Sequence, residues 1–197
     1  MSHPKSESRP PVPVIPSSTD TRDLRAALGS FTTGVTVIAT LDSAGKPVGV
    51  TANSFSSVSL TPPLVLFSLS HTALSLLTFR ATPHFTVSIL SDRQIELAGR
   101  FARAGKDKWR GVAFETWESG CPLLPGAAAW FECQVVATHD GGDHEIFIGE
   151  ILRLSHDPSS TPLAYQRGGY GGFRPEGRSH RRLTAPIGFA VNPPCVF

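Results

Sequence analysis

Residues 34–70, GVTVIATLDSAGKPVGVTANSFSSVSLTPPLVLFSLS, determine the class of fold. β-branched residues are frequent in the runs at 34–42, 48–60 and 62–70, which predicts three consecutive strands. The segment DSAGKP supplies turn residues between the first two runs. The third run begins with a proline pair, which a strand tolerates at its start but not in its interior. The pattern predicts neighbouring strands and does not show the strand–helix alternation of a Rossmann domain.

The rest of the chain adds further strand patterns and three short helical patterns. Thr19 or Asp20 is placed to cap the first helix, and helical spacing puts Leu74, Leu77 and Phe79 near one face of the second. Strands are predicted at 84–90, 129–140, 144–157 and 162–173, and helices at 20–31, 73–81 and 91–105. Six or seven strands with few helices predict a mainly β domain, either a barrel or a sandwich.

The 18 Lys and Arg residues and the 16 Asp and Glu residues are distributed unevenly along the 197-residue chain. The near-neutral total gives no indication of nucleic-acid binding. The segments 1–19 and 174–197 carry net charges of +1 and +3, whereas residues 20–173 carry 12 basic and 14 acidic groups. Together with composition, this predicts a disordered Pro/Ser-rich leader at 1–19, one globular domain at 20–173 and a basic tail at 174–197.

Several functional classes are disfavoured by features that the sequence lacks. No apolar run approaches the roughly 18–20 residues that a membrane-spanning helix needs, so we predict a soluble cytoplasmic protein. Three cysteines without a CxxC pair predict neither a disulfide framework nor a zinc site. The motifs GxGxxG, GxxxxGK[ST] and GxSxG are absent. A nucleotide, if the protein uses one, is therefore expected to bind by another route.

Short motifs follow one another in a characteristic order along the predicted domain. They are TANSFSSVS at 51–59, RFA at 100–102, GKDKW at 105–109, GGDHEIFIGEI at 141–151 and YQRGGY at 165–170. In type and order these motifs resemble the short-chain NAD(P)H:flavin oxidoreductases, which are the reductase components of two-component flavin-dependent monooxygenases. The resemblance implies an FMN-binding split barrel, a Greek-key antiparallel β-barrel with a few short helices, and a homodimer.

The segment 51–59 has a composition suited to a flavin pocket. Small residues allow backbone N–H groups to approach a flat ring, while Asn53, Ser54 and Ser57 offer hydrogen bonds without bulk. From the residues alone, a serine-rich loop that caps itself is the competing interpretation. The resemblance favours flavin binding and implies further contacts, both within this segment and elsewhere in the chain. These are Gly34, Val35, Thr36, Val37, Thr51, Ala52, Val58, Ser68, Phe101, Asp143 and Tyr170.

Binding of a flavin phosphate requires cations or a helix N-terminus. The candidates are Ser91, at the start of the third helical pattern, and the basic residues Arg100 and Lys108. A solvated helix face is the alternative for the two basic residues, because equally charged neighbours flank them. Ser70 either faces the ribityl chain and phosphate or caps the helix that follows. Ser88 stands where the family commonly has asparagine.

His144 has the sharpest functional interpretation of any single residue. A histidine at a hairpin corner is ordinarily a turn residue, but the resemblance implies that His144 lies beside the flavin where nicotinamide docks. There it is expected to act as the catalytic histidine, donating to the carboxamide or pyrophosphate of NADH and positioning the ring for hydride transfer. Nearby acidic residues do not predict a metal site, because Glu145 points to the other side of the strand.

The resulting prediction is an NADH-dependent flavin reductase. NADH is the expected hydride donor, FMN or FAD the acceptor, and a flavin-dependent monooxygenase the partner that receives reduced flavin. The alternative is a non-catalytic flavin-binding or electron-carrying protein of the same fold.

Overall fold

The computed structural model describes residues 21–105 and 107–173. The predicted leader at 1–19 and the basic tail at 174–197 lie outside the described residues. Strands predominate over short helices in the described part of the chain, which confirms the prediction of a mainly β domain. In chain order the elements are α1 (Arg22–Leu28), β1 (Thr33–Gly34), β2 (Thr36–Leu41), β3 (Pro47–Ala52), β4 (Ser56–Leu60), β5 (Pro63–Ser70), α2 (Leu76–Ala81), β6 (His84–Ile89), α3 (Ile95–Ala102), β7 (Glu115–Thr116), β8 (Pro122–Leu123), β9 (Ala129–Asp140), β10 (His144–His156), β11 (Leu163–Gln166) and β12 (Gly169–Gly172).

Seven strands form one antiparallel sheet in the order β3-β2-β6-β9-β10-β5-β4. The long strands β9 and β10 pair with each other as a hairpin near the centre of this order. β5 pairs with the first half of β10, and β4 pairs with β5 at the edge. Two small sheets, β1-β11-β12 and β7-β8, contain the remaining described strands. The central hairpin therefore joins the part of the sheet formed by β2 and β3 to the part formed by β4 and β5.

A group of phenylalanines lies in the main hydrophobic core. Phe67 is fully buried, and its ring centre lies 5.0 Å from those of Phe85 and Phe147 and 5.6 Å from that of Phe79. The Phe67 and Phe147 rings are nearly parallel, whereas the other two rings meet Phe67 edge-on. Such aromatic pairs contribute about 0.5–1.5 kcal/mol beyond the burial of their area. These contacts attach β5, β6, β10 and α2 to one another.

A second hydrophobic cluster lies beneath α3. Ala98 and Phe101 of this helix are buried in the same cluster as Val35 and Val37, in agreement with the amphipathic pattern of the helix. The Thr51 hydroxyl donates to the Ala98 carbonyl at 2.7 Å and attaches the helix to β3. Several residues predicted to contact a flavin thus also support the core at this end of the sheet.

The first and third helices are shorter than the sequence patterns predict. α1 begins directly after Thr21, so the predicted caps Thr19 and Asp20 are wrong. Thr21 makes no capping hydrogen bond through its side chain, and α1 has no buried residue. α3 ends before the predicted stop at Gly105, because the chain is already extended at Arg103. The polar residues before α1 and the glycine after α3 therefore predict helix boundaries that differ from the observed ones by a few residues.

The predicted face of α2 is confirmed for Phe79 and wrong for the two leucines. Leu74 precedes the helix and is 76% exposed, and Leu77 is 74% exposed. Leu76 is buried together with Phe79, which lies three positions further along on the same side of the helix. Because α2 has only six residues, one narrow face packs against the sheet and the remaining leucines face outward.

Two segments predicted as single strands are each split by a turn. The segment 48–60 forms parts of β3 and β4, which belong to opposite edges of the seven-stranded order. The segment 162–173 forms the hairpin β11–β12, so its glycines pair in a sheet instead of trailing from a strand. Arg167 and Gly168 at the turn have φ angles of 48° and 83°, the left-handed region that hairpin turns require.

Gly149 of β10 lies so close to the aromatic core that we expect Gly149→Ala to destabilise the fold by about 1–3 kcal/mol. A Cβ atom at this position would lie 2.5 Å from Cε1 of Phe85 and 3.2 Å from Cβ of Cys133. Phe85 is fully buried and has no free space into which to retreat. Urea unfolding measures the effect. Gly171→Ala is the control, because no heavy atom lies within 4 Å of the added Cβ, and an equal loss in both variants would contradict the prediction.

Candidate functional site

The turn between β3 and β4 carries polar residues that were predicted to face a flavin. The Ser54 hydroxyl donates to the Ser68 carbonyl at 3.2 Å and accepts from the Ser68 N–H at 3.0 Å, which fastens the turn to β5. The side chains of Asn53 and Ser57 make no hydrogen bond to any described residue. Ser54 is thus used in bonding β5 and does not cap its own loop, whereas Asn53 and Ser57 retain their capacity to bond a ligand.

The pairing of β5 with β10 brings residues from distant motifs together. Ser70 lies opposite His144, and Ser68 lies opposite Ile146. Paired residues of antiparallel strands point to the same face, so Ser68, Ser70 and His144 share one face of the sheet. Phe147 points to the opposite face, into the aromatic core. The Ser54 hydroxyl bonds the backbone of Ser68, so the TANSFSSVS motif is attached to β5 two residues before Ser70, the residue opposite His144.

Ser70 is used within the fold at the end of β5. Its hydroxyl lies 2.8 Å from the hydroxyl of Thr72 and accepts from the Thr72 N–H at 3.2 Å. α2 begins only at Leu76, with Ser75 at its N-cap position. Ser70 thus stabilises the turn after β5 and does not cap the helix.

His144 is almost fully buried at the start of β10. Its Nδ1 lies 2.6 Å from Oδ1 of Asp143, whose side chain is exposed. The hydrogen bond with His144 is the largest of the causes that hold the pKa of the Asp143 carboxyl below its usual value. Nε2 of His144 is buried and makes no hydrogen bond within the described part of the chain. Buried polar atoms without a partner are rare, so this nitrogen marks His144 as a candidate ligand contact.

Glu145, the residue after His144, is buried on the other side of β10. Its Oε2 accepts from Nε of Arg80 at 2.6 Å and lies 2.5 Å from Nη2 of the same side chain. The predicted separation of Glu145 from His144 is therefore confirmed. The pairing of Glu145 with Arg80 was not predicted, because the sequence around Arg80 does not indicate against which strand its helix packs.

The predicted contacts that precede β3 are largely occupied within the fold. Val35 and Val37 are buried, and the Thr36 hydroxyl donates to the Ala52 carbonyl at 2.8 Å. Gly34 is exposed in β1 and has free space on its Cα. Val35, Thr36 and Val37 are therefore part of the folded interior, whereas the exposed Gly34 leaves its backbone open to a ligand.

Two further predicted contacts, Tyr170 and Val58, lie apart from the residues described above. Tyr170 is half-buried, and its ring centre lies 5.4 Å from that of Tyr165 beside the cluster beneath α3. Val58 of the edge strand β4 is 46% exposed. The structure therefore distributes the predicted residues over two groups, one around α3 and one around β5 and β10, which the end of β3 and its turn connect.

A comparison with protein families identifies the group to which these motifs belong. The model of the flavin reductase-like domain matches residues 28–174. The chain belongs to this family. It is 42% identical to the NADH-dependent FMN reductase SmoA of Agrobacterium fabrum over 159 residues, which cover 81% of this chain and 90% of SmoA. It is 38% identical to HsaB of Mycobacterium tuberculosis, the reductase subunit of a flavin-dependent monooxygenase, over 80% of this chain and 84% of HsaB.

Solved structures give the same assignment of the fold. The NADH:FAD oxidoreductase SgcE6 of Streptomyces globisporus, solved in complex with NAD and FAD fragments, superposes with a TM-score of 0.78 at 37% identity. The match covers 84% of this chain and 100% of SgcE6. Some matching relatives are longer, and the chain spans 48% of the length of one from Rhizobium meliloti. These likenesses confirm the predicted split-barrel fold.

In this flavin reductase-like domain, the cations predicted to bind phosphate contact backbone carbonyls. Nζ of Lys108 donates to the carbonyls of Phe101 at 2.9 Å and of Gly49 at 3.2 Å. Nη2 of Arg100 donates to the carbonyl of Arg110. The Phe101 ring is fully buried, with its centre 4.7 Å from that of Trp109 in the sequence neighbourhood of Lys108. Both cations therefore hold the segment after α3 in place, and their contact with phosphate stays a prediction.

Lys108→Met is expected to lower the free energy of unfolding by about 1 kcal/mol, because two carbonyls lose a charged donor. Burial lowers the pKa of Lys108 below 10.5. Between this lowered pKa and 10.5 the unfolded chain binds a proton that the folded chain does not, so the stability of the wild type relative to Lys108→Met rises with pH. Urea unfolding at about pH 8 and pH 10 measures both effects. A stability difference that falls over this range would contradict the assignment.

Ser91 lies in the wall of an open cavity of about 360 Å³. Its hydroxyl donates to the Gly126 carbonyl at 2.8 Å, and its N–H donates to the Gln94 side chain at 3.0 Å. Arg93 also lines the cavity, but so do Asp92 and Asp157. With charges of both signs and a serine already bonded within the fold, the cavity does not by itself indicate an anion site.

The two cysteines in the described residues, Cys121 and Cys133, are buried. Burial raises the pKa of both thiols, and that of Cys133 reaches about 12. No group of three or more His, Cys, Asp or Glu side chains within 21–105 and 107–173 is placed to hold a metal ion. No helix in these same ranges has the length and apolar character needed to cross a membrane.

Proposed function

We propose that this protein is an NADH-dependent flavin reductase, which transfers hydride from NADH to FMN or FAD and supplies reduced flavin to a partner monooxygenase. The position of His144 carries the proposal. Its unpartnered Nε2 belongs to a residue on the same sheet face as Ser68, which is bonded to the polar β3–β4 turn. Membership of the family supports it, because SmoA is named an NADH-dependent FMN reductase and HsaB a monooxygenase reductase subunit.

The described residues fit a bound flavin. When bound, FMN or FAD accepts the hydride and supplies the redox chemistry. The Asn53 amide and the Ser57 hydroxyl are available to its polar edge, whereas the Ala52 side chain is buried in the main core. His144 then orients the nicotinamide of NADH against it. We retain the other predicted contacts as part of the proposal, with Lys108 and Phe101 acting through the packing of α3.

A spectrophotometric assay tests the proposed activity. The purified full chain is mixed with NADH or NADPH, in the presence of FMN, of FAD or of neither flavin. We expect rapid oxidation of NADH that requires added flavin. A yellow protein that oxidises neither nucleotide with either flavin would contradict the proposal and favour the alternative, a non-catalytic flavin-binding or electron-carrying protein.

A homodimer is also proposed. Exposed apolar side chains lie on three of the four adjacent strands β4, β5, β10 and β9, namely Leu60, Val136, Leu152 and Leu154. Apolar groups exposed on neighbouring strands favour burial against a second copy. Sedimentation of the full chain is expected to give twice the chain mass, and Leu154→Arg is expected to shift it to one chain mass. A wild type that sediments as a single chain would contradict the proposal.

The cellular setting follows from the same proposal. We place the protein in the cytoplasm, where reduced nicotinamide is available, and divide it into a domain at 20–173 with a leader before it and a basic tail after it.

The partner that receives reduced flavin is proposed from the monooxygenase reductase subunits among the relatives. Addition of a flavin-dependent monooxygenase to the assay tests this step, since coupled substrate oxidation is expected only when the reductase is present.

A further inference from the structure

Two aspartates near the turn between β9 and β10 each lie beside a histidine, one beside His144 at the start of β10 and the other beside His71 directly after β5. In one pair, Nδ1 of His144 lies 2.6 Å from Oδ1 of Asp143. In the other, Nε2 of His71 lies 3.8 Å from Oδ1 of Asp140, which is beyond hydrogen-bond distance. Both carboxylates are largely exposed, but only His144 is almost fully buried. The two aspartates therefore provide a matched comparison within one turn.

The hydrogen bond to Asp143 determines which nitrogen of His144 carries the proton. An ionised carboxylate only accepts hydrogen bonds, and contact with the imidazole favours the ionised form by lowering the pKa of Asp143. Nδ1 must therefore be the donor across the 2.6 Å contact. In a neutral imidazole with Nδ1–H, the other nitrogen is an acceptor. In the neutral form of His144, Nε2 thus carries a lone pair and no proton.

We infer that Asp143 is a positioning residue that holds His144 as the Nδ1–H tautomer, so that Nε2 accepts a hydrogen bond from the primary amide of the nicotinamide of NADH. This inference rests on the proposed function and reverses the direction of the hydrogen bond that the sequence predicts for His144. The buried Nε2 has no partner among the described residues, so it gains a donor when the amide N–H arrives.

The burial of Nε2 adds a requirement to the binding step. Because the atom is covered in the chain without nucleotide, the ring or a neighbouring side chain must shift before the amide makes contact. Changes of side-chain rotamer on binding are common even where the backbone stays still. Asp143 limits this movement, since the ring keeps its tautomer only while Nδ1 remains bonded to the carboxylate.

The tautomer is measured directly by long-range ¹H–¹⁵N NMR of the full chain labelled at histidine. The His144 signals are assigned by their loss in His144→Gln. We expect a protonated Nδ1 and a non-protonated Nε2 in the wild type at about pH 8. Asp143→Asn is expected to move His144 toward a mixture of tautomers, because a neutral amide side chain can donate as well as accept. Asp140→Asn removes the same charge from the same turn and is expected to leave His144 unchanged.

The role of the acceptor is measured with a nucleotide that lacks the donor. Reduced 3-acetylpyridine adenine dinucleotide has a methyl ketone in place of the primary amide of NADH. For each variant we compare the KM for this analogue with the KM for NADH at saturating flavin. In the wild type and in Asp140→Asn, the ratio is expected to be about tenfold larger than in Asp143→Asn or His144→Gln. The change in this ratio is expected to come from the KM for NADH, whereas kcat is expected to change by less than about threefold.

Each outcome decides between the inference and its alternatives. A protonated Nε2 in the wild type, or the same tautomer in Asp143→Asn, would overturn the positioning role. Equal KM ratios in all four proteins would overturn the amide contact. If Asp143→Asn and His144→Gln lose only affinity for flavin, His144 contacts the flavin instead of the nicotinamide, which would also overturn it. If no form of the protein oxidises NADH, the proposed function fails, while the NMR measurement still decides the tautomer.

Discussion

His144→Ala is expected to raise the KM for NADH about 10- to 100-fold and to change the flavin dissociation constant by less than about twofold. The side chain is buried on the sheet face that it shares with Ser68 and Ser70, and its Nε2, unpartnered among the described residues, is the nitrogen that the nicotinamide amide is proposed to reach. Loss of the imidazole removes the acceptor and leaves the amide N–H unsatisfied in a partly closed site. Steady-state titration of NADH and fluorescence titration of flavin measure the two quantities.

His139→Ala is the matched control for this prediction. His139 lies on β9 opposite Ile146 and is exposed, so it is close to the same face of the sheet without being buried there. Its removal is expected to leave both constants within about twofold of the wild type. NADH kinetics that are equal in His144→Ala and the wild type would exclude the positioning of nicotinamide by His144.

Phe67→Ala is expected to destabilise the fold by about 3–5 kcal/mol, the largest effect of any single substitution considered for this core. Phe67 is fully buried and contacts three other rings, those of Phe79, Phe85 and Phe147. Its truncation leaves a cavity at the point where β5, β6, β10 and α2 meet, and each of the remaining rings loses a partner. Urea unfolding at a fixed chain concentration measures the loss, since oligomerisation makes stability depend on concentration.

Phe31→Ala provides the control for the core prediction. Phe31 is 77% exposed, so its truncation is expected to change the free energy of unfolding by no more than about 0.5 kcal/mol. The two variants remove the same side chain from different surroundings. Similar losses in both would mean that the aromatic contacts of Phe67 contribute little.

The strands of the sheet were predictable because their sequence patterns are long. The run 129–140 coincides with β9, since β-branched and aromatic residues recur along it and no glycine or proline interrupts it before the GGD turn. α2 was mispredicted because six residues contain too few turns to distinguish one face from another, and Leu77 is apolar although it faces outward. Short elements depend on what packs against them, and that information lies in distant parts of the chain.

The sequence motifs indicate candidate site residues, but they do not indicate how these residues are arranged in space. Ser54, Ser68 and His144 come from three separate motifs, and only the register of β5 against β10 brings them together. The basic residues after α3 illustrate the opposite case. Sequence alone indicates that Lys108 is a cation near a candidate pocket, but it does not reveal that the segment folds back and directs the ammonium to the carbonyls of Phe101 and Gly49.

The burial of Cys133 has a chemical consequence for a protein that handles reduced flavin in air. Thiolates, and not thiols, are the forms that peroxides and alkylating reagents attack. With a pKa of about 12, the Cys133 sulfur stays protonated at the pH of a cell, and burial raises the pKa of Cys121 as well. Cys121 and Cys133 are therefore expected to react slowly with peroxides and alkylating reagents while the barrel remains folded, and to become reactive when it unfolds.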